Sequence, residues 1–325
     1  MAAVSDRSLF RFAILLILLF GLLLWLGNRW PVEISIWESI AAIVLSMPFM
    51  AVSVLTAGLR LSWLCGPPVS MGTGVGVNAI AQLVVLLVPS RISEAAKPVG
   101  LLLVCDLPLS RGFTVLTVER LIDAAVLAFL ILLSMVFVSG PFDRQLAWSG
   151  MILASIAFTG GGVVFIVGIN PGLLRRLTRK LSSQRLILQI EHLVGQFAHI
   201  ADARRLVVSL FLSVVTWISS YLVLLTFLSI ALGSALAPSQ VLVVFVASTL
   251  GLIVSVAPGG LGTFEAAVAL SLIAFGTEPA EAVAAAILLR ITLVLPVVAL
   301  AGWYLLISPV SLGDVLKGVR NRDTK

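Results

Sequence analysis

Histidine, cysteine and charge are all scarce in this chain, and each scarcity removes a class of function. There are 2 histidines and 2 cysteines in 325 residues, and only 11% of the residues are charged. His192 and His199 both fall in a basic connecting stretch, so a histidine-built metal centre or triad within the apolar parts is excluded. Cys65 and Cys105 lie in apolar surroundings about forty residues apart. That spacing fits neither a disulfide framework nor a metal-ligand pair, and both read as buried thiols. No G-x-x-x-x-G-K-[ST] sequence is present, which excludes ATP-driven pumping by this chain alone. No cofactor and no metal are expected.

What the chain has in excess is apolar sequence: 60% hydrophobic residues and a mean hydropathy of +1.16. Runs of about 17–25 apolar residues span a ~30 Å hydrocarbon core. Such runs lie roughly at 12–27, 38–58, 113–138, 147–169, 206–232 and 281–307. The expected fold class is an all-α polytopic membrane protein, a single integral membrane domain over residues 1–325. A net charge of +6 invites a nucleic-acid reading, but the basic residues cluster beside apolar runs: Arg7 and Arg11, then Arg175 to Arg205, then Lys317 to Lys325. This is the positive-inside pattern of a membrane protein, with anionic lipid headgroups rather than nucleic acid as partners. "GNRWPVE" follows the first run without a small-x-small cleavage site, so a retained first helix is expected. Tryptophans 25, 30, 37, 63, 148 and 303 lie near span ends, as interface anchors do.

Two regions depart from simple spans. Residues 76–107 and 239–276 each hold two short apolar pieces separated by a polar or glycine-rich break. The basic N-terminus, the basic amphipathic segment 170–205 and the tail 308–325 are all expected on the cytoplasmic side of a cytoplasmic (inner) membrane. Each broken region must then contribute an even number of crossings, as a re-entrant or doubly crossing helical hairpin. Pro89 and Glu94 are followed 26 residues after the glutamate by Arg120, and Pro258 and Glu265 are followed 25 residues after it by Arg290. Two repeats follow, 10–138 and 147–307, each with full-length spans and a broken hairpin. Three full spans separate the hairpins, so the repeats are expected to be inverted, an architecture that places a binding site at their interface. A break at membrane depth is tolerated only where protein or water covers its freed backbone groups. The helix starting near Thr263 would point its N-terminal amides there, with Glu265 in its first turn.

The stretches "VPSRISEAAKPVGLLLV" and "LSRGFTVLTVERLID", with "APGGLGTFEAAVAL" and "PAEAVAAAILLRI", resemble the two signature regions of the lysylphosphatidylglycerol synthase transmembrane-region family, flippase-like integral membrane proteins. The resemblance covers most of residues 10–307. It carries Pro89, Arg91, Glu94, Glu119, Arg120 and Asp123 in the first region, and Pro258, Gly259, Gly260, Gly262, Glu265 and Arg290 in the second. One departure is Ser93, where the family has glycine; a serine there can serve as a helix N-cap. The resemblance implies translocation or handling of polar-headgroup lipids. The sequence ends at Lys325, about eighteen residues past the last span, so the aminoacyl transfer domain of the fused synthases is expected to be absent and the chain not to be an enzyme.

Ionisable residues at membrane depth cost on the order of 2.5–3.5 kcal/mol each, which makes them functional candidates. Arg91, Glu94 and Lys97 sit at the first break and Glu265 at the second. Glu119 and Asp123 are spaced i, i+4 and share a helix face, while Arg120, three before Asp123, can pair with it. Arg290, about ten residues into the last span, needs Glu265 or Glu94 as partner. Arginines offer a bidentate fork to a lipid phosphate, and carboxylates can bind a cationic headgroup or take protons. The alternative is that these groups are buried pairs that only pin helices together. A lipid translocator leads; the others are a membrane-embedded lipid transferase and a non-transporting partner that recruits a cytoplasmic lipid-biosynthesis enzyme through 170–205.

Overall fold

A backbone in lipid must satisfy its own hydrogen bonds, and an isolated apolar run of this length does so as a helix. The computed structural model describes residues 35–88, 93–137, 203–233, 236–255 and 257–320, and they are helical with no strand among them. The helices are α1 (Ile36–Cys65), α2 (Met71–Leu87), α3 (Ala96–Cys105), α4 (Leu109–Phe137), α5 (Ala203–Ala231), α6 (Pro238–Val254), α7 (Thr263–Ala274), α8 (Pro279–Ile307) and α9 (Leu312–Arg320). A 3₁₀ turn, Pro258–Gly260, separates α6 from α7.

The spans expected at 38–58, 113–138, 206–232 and 281–307 are α1, α4, α5 and α8. Those at 12–27 and 147–169, and the segment 170–202, lie outside the described residues. Helices α1, α5 and α8 are long and apolar enough to cross a membrane. Helix α4 has their length but carries Arg111, Glu119, Arg120 and Asp123 in its first half. At 1.5 Å per residue α3 and α7 reach only about 15 and 18 Å, half of a ~30 Å core. The element order is long, 17 residues, short, long, twice over: 30, 17, 10 and 29 residues, then 29, 17, 12 and 29.

Helix α1 runs seven residues past the expected end at 58. A charge usually marks the end of a span, but Arg60 is neutralised inside the protein instead, 3% exposed. Ser39, Ser46, Ser53 and Arg60 recur every seven residues and are all buried, a small and polar stripe of the kind that lets membrane helices approach closely. The stripe faces α5. Ser53 bonds Ser220 at 2.8 Å, Thr56 bonds Thr216 at 2.7 Å and Arg60 donates to Ser213 at 2.8 Å. Residue numbers rise on α1 as they fall on α5, so the two helices pack antiparallel. Phe227, Phe264, Leu224 and Leu289 continue this interface into the main apolar core.

The segment expected as a plain tail folds in part. Val310, Val315 and Val319 bury against Ile80 and Val84 of α2 and Ala96 and Val99 of α3. Helix α9 thus braces the first hairpin from its end. Its N-terminus is a capping box: Ser311 Oγ accepts from the Asp314 amide at 3.2 Å, and Asp314 Oδ2 accepts from the Ser311 amide at 3.1 Å. The Ser311 hydroxyl and amide hold the Asp314 carboxyl below the usual carboxylate range. A depressed folded pKa gives stability that is complete above the unfolded value, about 4, and is lost as pH falls through the folded one. Amide exchange in α9 is therefore expected to accelerate as pH drops below about 4, and Asp314→Asn to remove that dependence.

Candidate functional site

The i, i+4 placement of Glu119 and Asp123 on α4 turns both toward α1. There Arg60 Nε donates to Glu119 Oε1 at 3.4 Å, and Arg60 Nη2 donates to Asp123 Oδ2 at 3.0 Å. Asp123 Oδ1 also accepts from Ser213 Oγ at 2.8 Å and from Trp217 Nε1 at 3.1 Å, both on α5. One carboxylate at the midpoint of α4 therefore ties three helices together. Lys97 of α3 donates to the other oxygen of Glu119 at 2.8 Å. The i, i+3 pairing of Arg120 with Asp123 expected from sequence does not form. Asp123 is taken by the fork of Arg60, and two parallel N–H···O bonds hold a carboxylate better than one local contact.

Arg120 reaches across to the first break instead. Its Nη2 lies 2.8 Å from both oxygens of Glu94, and its Nε donates at 3.2 Å. Ser93, expected as an N-cap, is not one: Ala95 holds that position of α3 with a helical backbone, and Ser93 is buried. Pro89 and Arg91 lie outside the described residues.

At the second break Arg290 pairs with Glu265, the first of its two expected partners, Nε to Oε1 at 2.6 Å. Its Nη1 and Nη2 donate to the carbonyls of Gly259 and Gly260 at 2.7 and 3.1 Å. The guanidinium also lies over the Phe264 ring, 4.2 Å from its centroid, a cation–π contact. Glu265, in the first turn of α7 as expected, accepts the Gly262 amide at 2.8 Å. Pro258 starts the turn, and Gly259, Gly260 and Gly262 all have positive φ. Gly260 (φ 69°) holds a left-handed backbone that favours glycine, and a Cβ there would push on the flexible end of Leu252, 2.6 Å away. Gly260→Ala is expected to shift the carbonyls off Arg290 and to destabilise the protein by about 1–3 kcal/mol, read as a lower unfolding temperature in detergent.

The breaks meet. A Cβ on Gly259 would lie 3.1 Å from Leu86, next to the end of α2. Between them lies a cavity of about 400 Å³ lined by Arg60, Glu94, Lys97, Arg120, Asp123 and Arg290. Gly259 also lines it, while Glu119 and Glu265 stand behind the cations they hold. Four cations, Arg60, Lys97, Arg120 and Arg290, face four carboxylates, Glu94, Glu119, Asp123 and Glu265. The pairs differ in access. Arg120 and Glu94 are 55% and 45% exposed, whereas no partner in the other pairs exceeds 22%.

Sequence reasoning did not single out Arg60, Ser213 or Trp217. The seven-residue recurrence leading to Arg60 was the available signal. Trp217 is the one tryptophan away from a span end, and it is the one bound to Asp123.

Long apolar helices packed around a charged chamber at two helix breaks define a multi-pass membrane protein with an internal polar site. The chain belongs to the lysylphosphatidylglycerol synthase transmembrane-region family, which its residues 35–301 match. It is 26% identical over 297 residues to a UPF0104 membrane protein of Methanothermobacter thermautotrophicus, covering 84% of this chain and 85% of that one. No solved structure matches it significantly.

Proposed function

We propose that the chain moves a charged polar-headgroup lipid between leaflets, the headgroup passing through the cavity while the acyl chains stay in lipid. The observation that carries this reading is the half-open Arg120–Glu94 pair on a chamber whose other ion pairs are buried. A solvent-open pair is worth about 0–1 kcal/mol, so a lipid phosphate that fits the Arg120 fork displaces Glu94 at little cost. Glu94 is then released to a cationic part of the headgroup or to a proton. Arg60–Asp123 and Arg290–Glu265 hold the walls. No bond is made or broken in this cycle, so the protein is a transporter rather than an enzyme.

Further support for two inverted repeats comes from the doubled helix order, the antiparallel packing of α1 on α5 and the meeting of the two breaks. Placement in a cytoplasmic membrane with both termini inside rests on the basic clusters.

The test is mass spectrometry of lipids co-purified with wild type and with Glu94→Gln/Arg120→Gln, both of the same gel-filtration profile. Enrichment of one polar lipid on wild type and its loss from the variant is expected. The same bulk lipids on both would favour recruitment of a lipid-biosynthesis enzyme through residues 170–205 instead.

A further inference from the structure

A second cavity, of about 440 Å³, lies where α1 ends and where α2 and α5 begin. Trp63 of α1, Pro67 and Pro68 of the turn, Met71 of α2 and Arg205 of α5 line it. It shares no described residue with the charged chamber. Helix α1 has 30 residues, about 45 Å at 1.5 Å per residue, and so overshoots a ~30 Å core by about a turn at each end. Trp63, two residues before the end of α1, therefore stands at headgroup level, where amphipathic aromatic side chains anchor. This is also the end that the basic clusters assign to the cytoplasm. Arg204 lies over the Trp63 ring, 6.0 Å from its centroid. The Arg205 guanidinium packs on Gly66, 3.4 Å from where a Cβ would stand. A third arginine caps α1: Arg111 Nη2 donates to the Cys65 carbonyl at 2.6 Å. The end of that helix thus already has its cation, and two more are placed beside it. No carboxylate lines the cavity among the described residues, so its field is that of the arginines.

We infer that this cavity holds a resident anionic phospholipid of the cytoplasmic leaflet, distinct from the lipid that is moved. Its phosphate lies on Arg205, and its glycerol and upper acyl chains lie against Trp63, Pro67, Pro68 and Met71. A guanidinium fork suits a phosphate, and Arg204 beside it adds to the local positive potential. The walls favour a lipid over a soluble phosphate ester. They are mostly apolar, and Met71 is 64% exposed, a surface that a soluble anion leaves in water and an acyl chain covers. A zwitterionic headgroup fits less well, because its ammonium meets arginines and no lining carboxylate among the described residues. Bound there, the lipid ties the starts of α2 and α5 to the end of α1 and stabilises the fold by mass action.

The experiment uses the full-length protein carrying Glu94→Gln/Arg120→Gln, so that lipid in the charged chamber is not counted. Dioctanoyl phosphatidic acid, dioctanoyl phosphatidylcholine and glycerol 3-phosphate are each titrated in detergent by native mass spectrometry. One equivalent of phosphatidic acid is expected to bind roughly tenfold more tightly than either of the others. Arg205→Gln is expected to weaken it about fivefold and Arg204→Gln/Arg205→Gln about 25-fold, with phosphatidylcholine unchanged within about twofold. Met71→Glu tests the site without touching either arginine. Residue 71 is exposed, and an acid in the first turn of α2 suits the helix. Its charge on the wall is expected to weaken phosphatidic acid about fivefold at an unchanged unfolding temperature. Equal binding of phosphatidic acid and phosphatidylcholine overturns the proposal. So does a preference that survives both Arg205→Gln and Met71→Glu, which would leave Arg205 as a contact of the fold alone. Glycerol 3-phosphate bound as tightly as phosphatidic acid overturns the lipid and reassigns the arginines to a soluble phosphate ester. None of these outcomes touches the translocation reading, whose residues are already replaced in the protein tested.

Discussion

Asp123→Ala is expected to destabilise the protein by roughly 3–5 kcal/mol, the effect of stripping one partner from a buried ion pair. The loss is large because of what remains. Arg60 is 3% exposed and keeps only Glu119 at 3.4 Å and Ser213 as partners, so most of its charge stays buried without compensation. Trp217 Nε1 and the Ser213 hydroxyl lose an acceptor as well. Replacing both charges with apolar residues of similar volume, Arg60→Met with Asp123→Leu, is expected to recover much of the stability, since buried pairs exchange for packed hydrophobes at little net change. Thermal unfolding followed by tryptophan fluorescence reads both variants, with Trp217 as a local reporter. A single variant as stable as wild type would mean that Arg60 finds water and that the three-helix junction is looser than its hydrogen bonds imply.

Glu94→Gln is expected to behave in the opposite way: lipid transfer falls at least tenfold, and stability changes by less than about 1 kcal/mol. The Arg120–Glu94 pair is half exposed, so an unpaired Arg120 turns to water and little folding energy is lost. What is lost is the anion that keeps the guanidinium oriented while empty and receives a cation or proton while the headgroup crosses. Asp123 and Glu94 separate the two uses of charge in this cavity, one holding helices and one serving the substrate. Transfer in vesicles and unfolding in detergent, measured on both variants, distinguish them: loss of both properties in Glu94→Gln would make that pair structural as well.

Much of this arrangement was legible in the sequence, and the limits were physical. Glu265 in the first turn of α7 and its bond to Arg290 followed from local spacing and from the need of a deep arginine for a partner. The shared face of Glu119 and Asp123 followed from helical periodicity. Which cation they would meet did not, because Arg60 lies about sixty residues away and its charge looked like the end of a span. The serine stripe at 39, 46 and 53 pointed at it, since a helix with a buried polar face needs a polar neighbour. Arg120 illustrates competition: the nearest carboxylate in sequence was already occupied, so the arginine took the next one in space. The α9 helix was hidden because nine residues with several charges read as a solvated tail, and only its valines at 315 and 319 recorded the docking.

The most direct test of the account is leaflet-resolved lipid transfer in vesicles holding the purified chain, with phosphatidylglycerol reporters placed in one leaflet. Transfer well above protein-free vesicles, lost in Arg120→Gln and in Glu94→Gln while both variants unfold at the wild-type temperature, is the expected result. Transfer at the protein-free rate for wild type, or at an unchanged rate in both variants, would contradict the passage of a headgroup through this cavity.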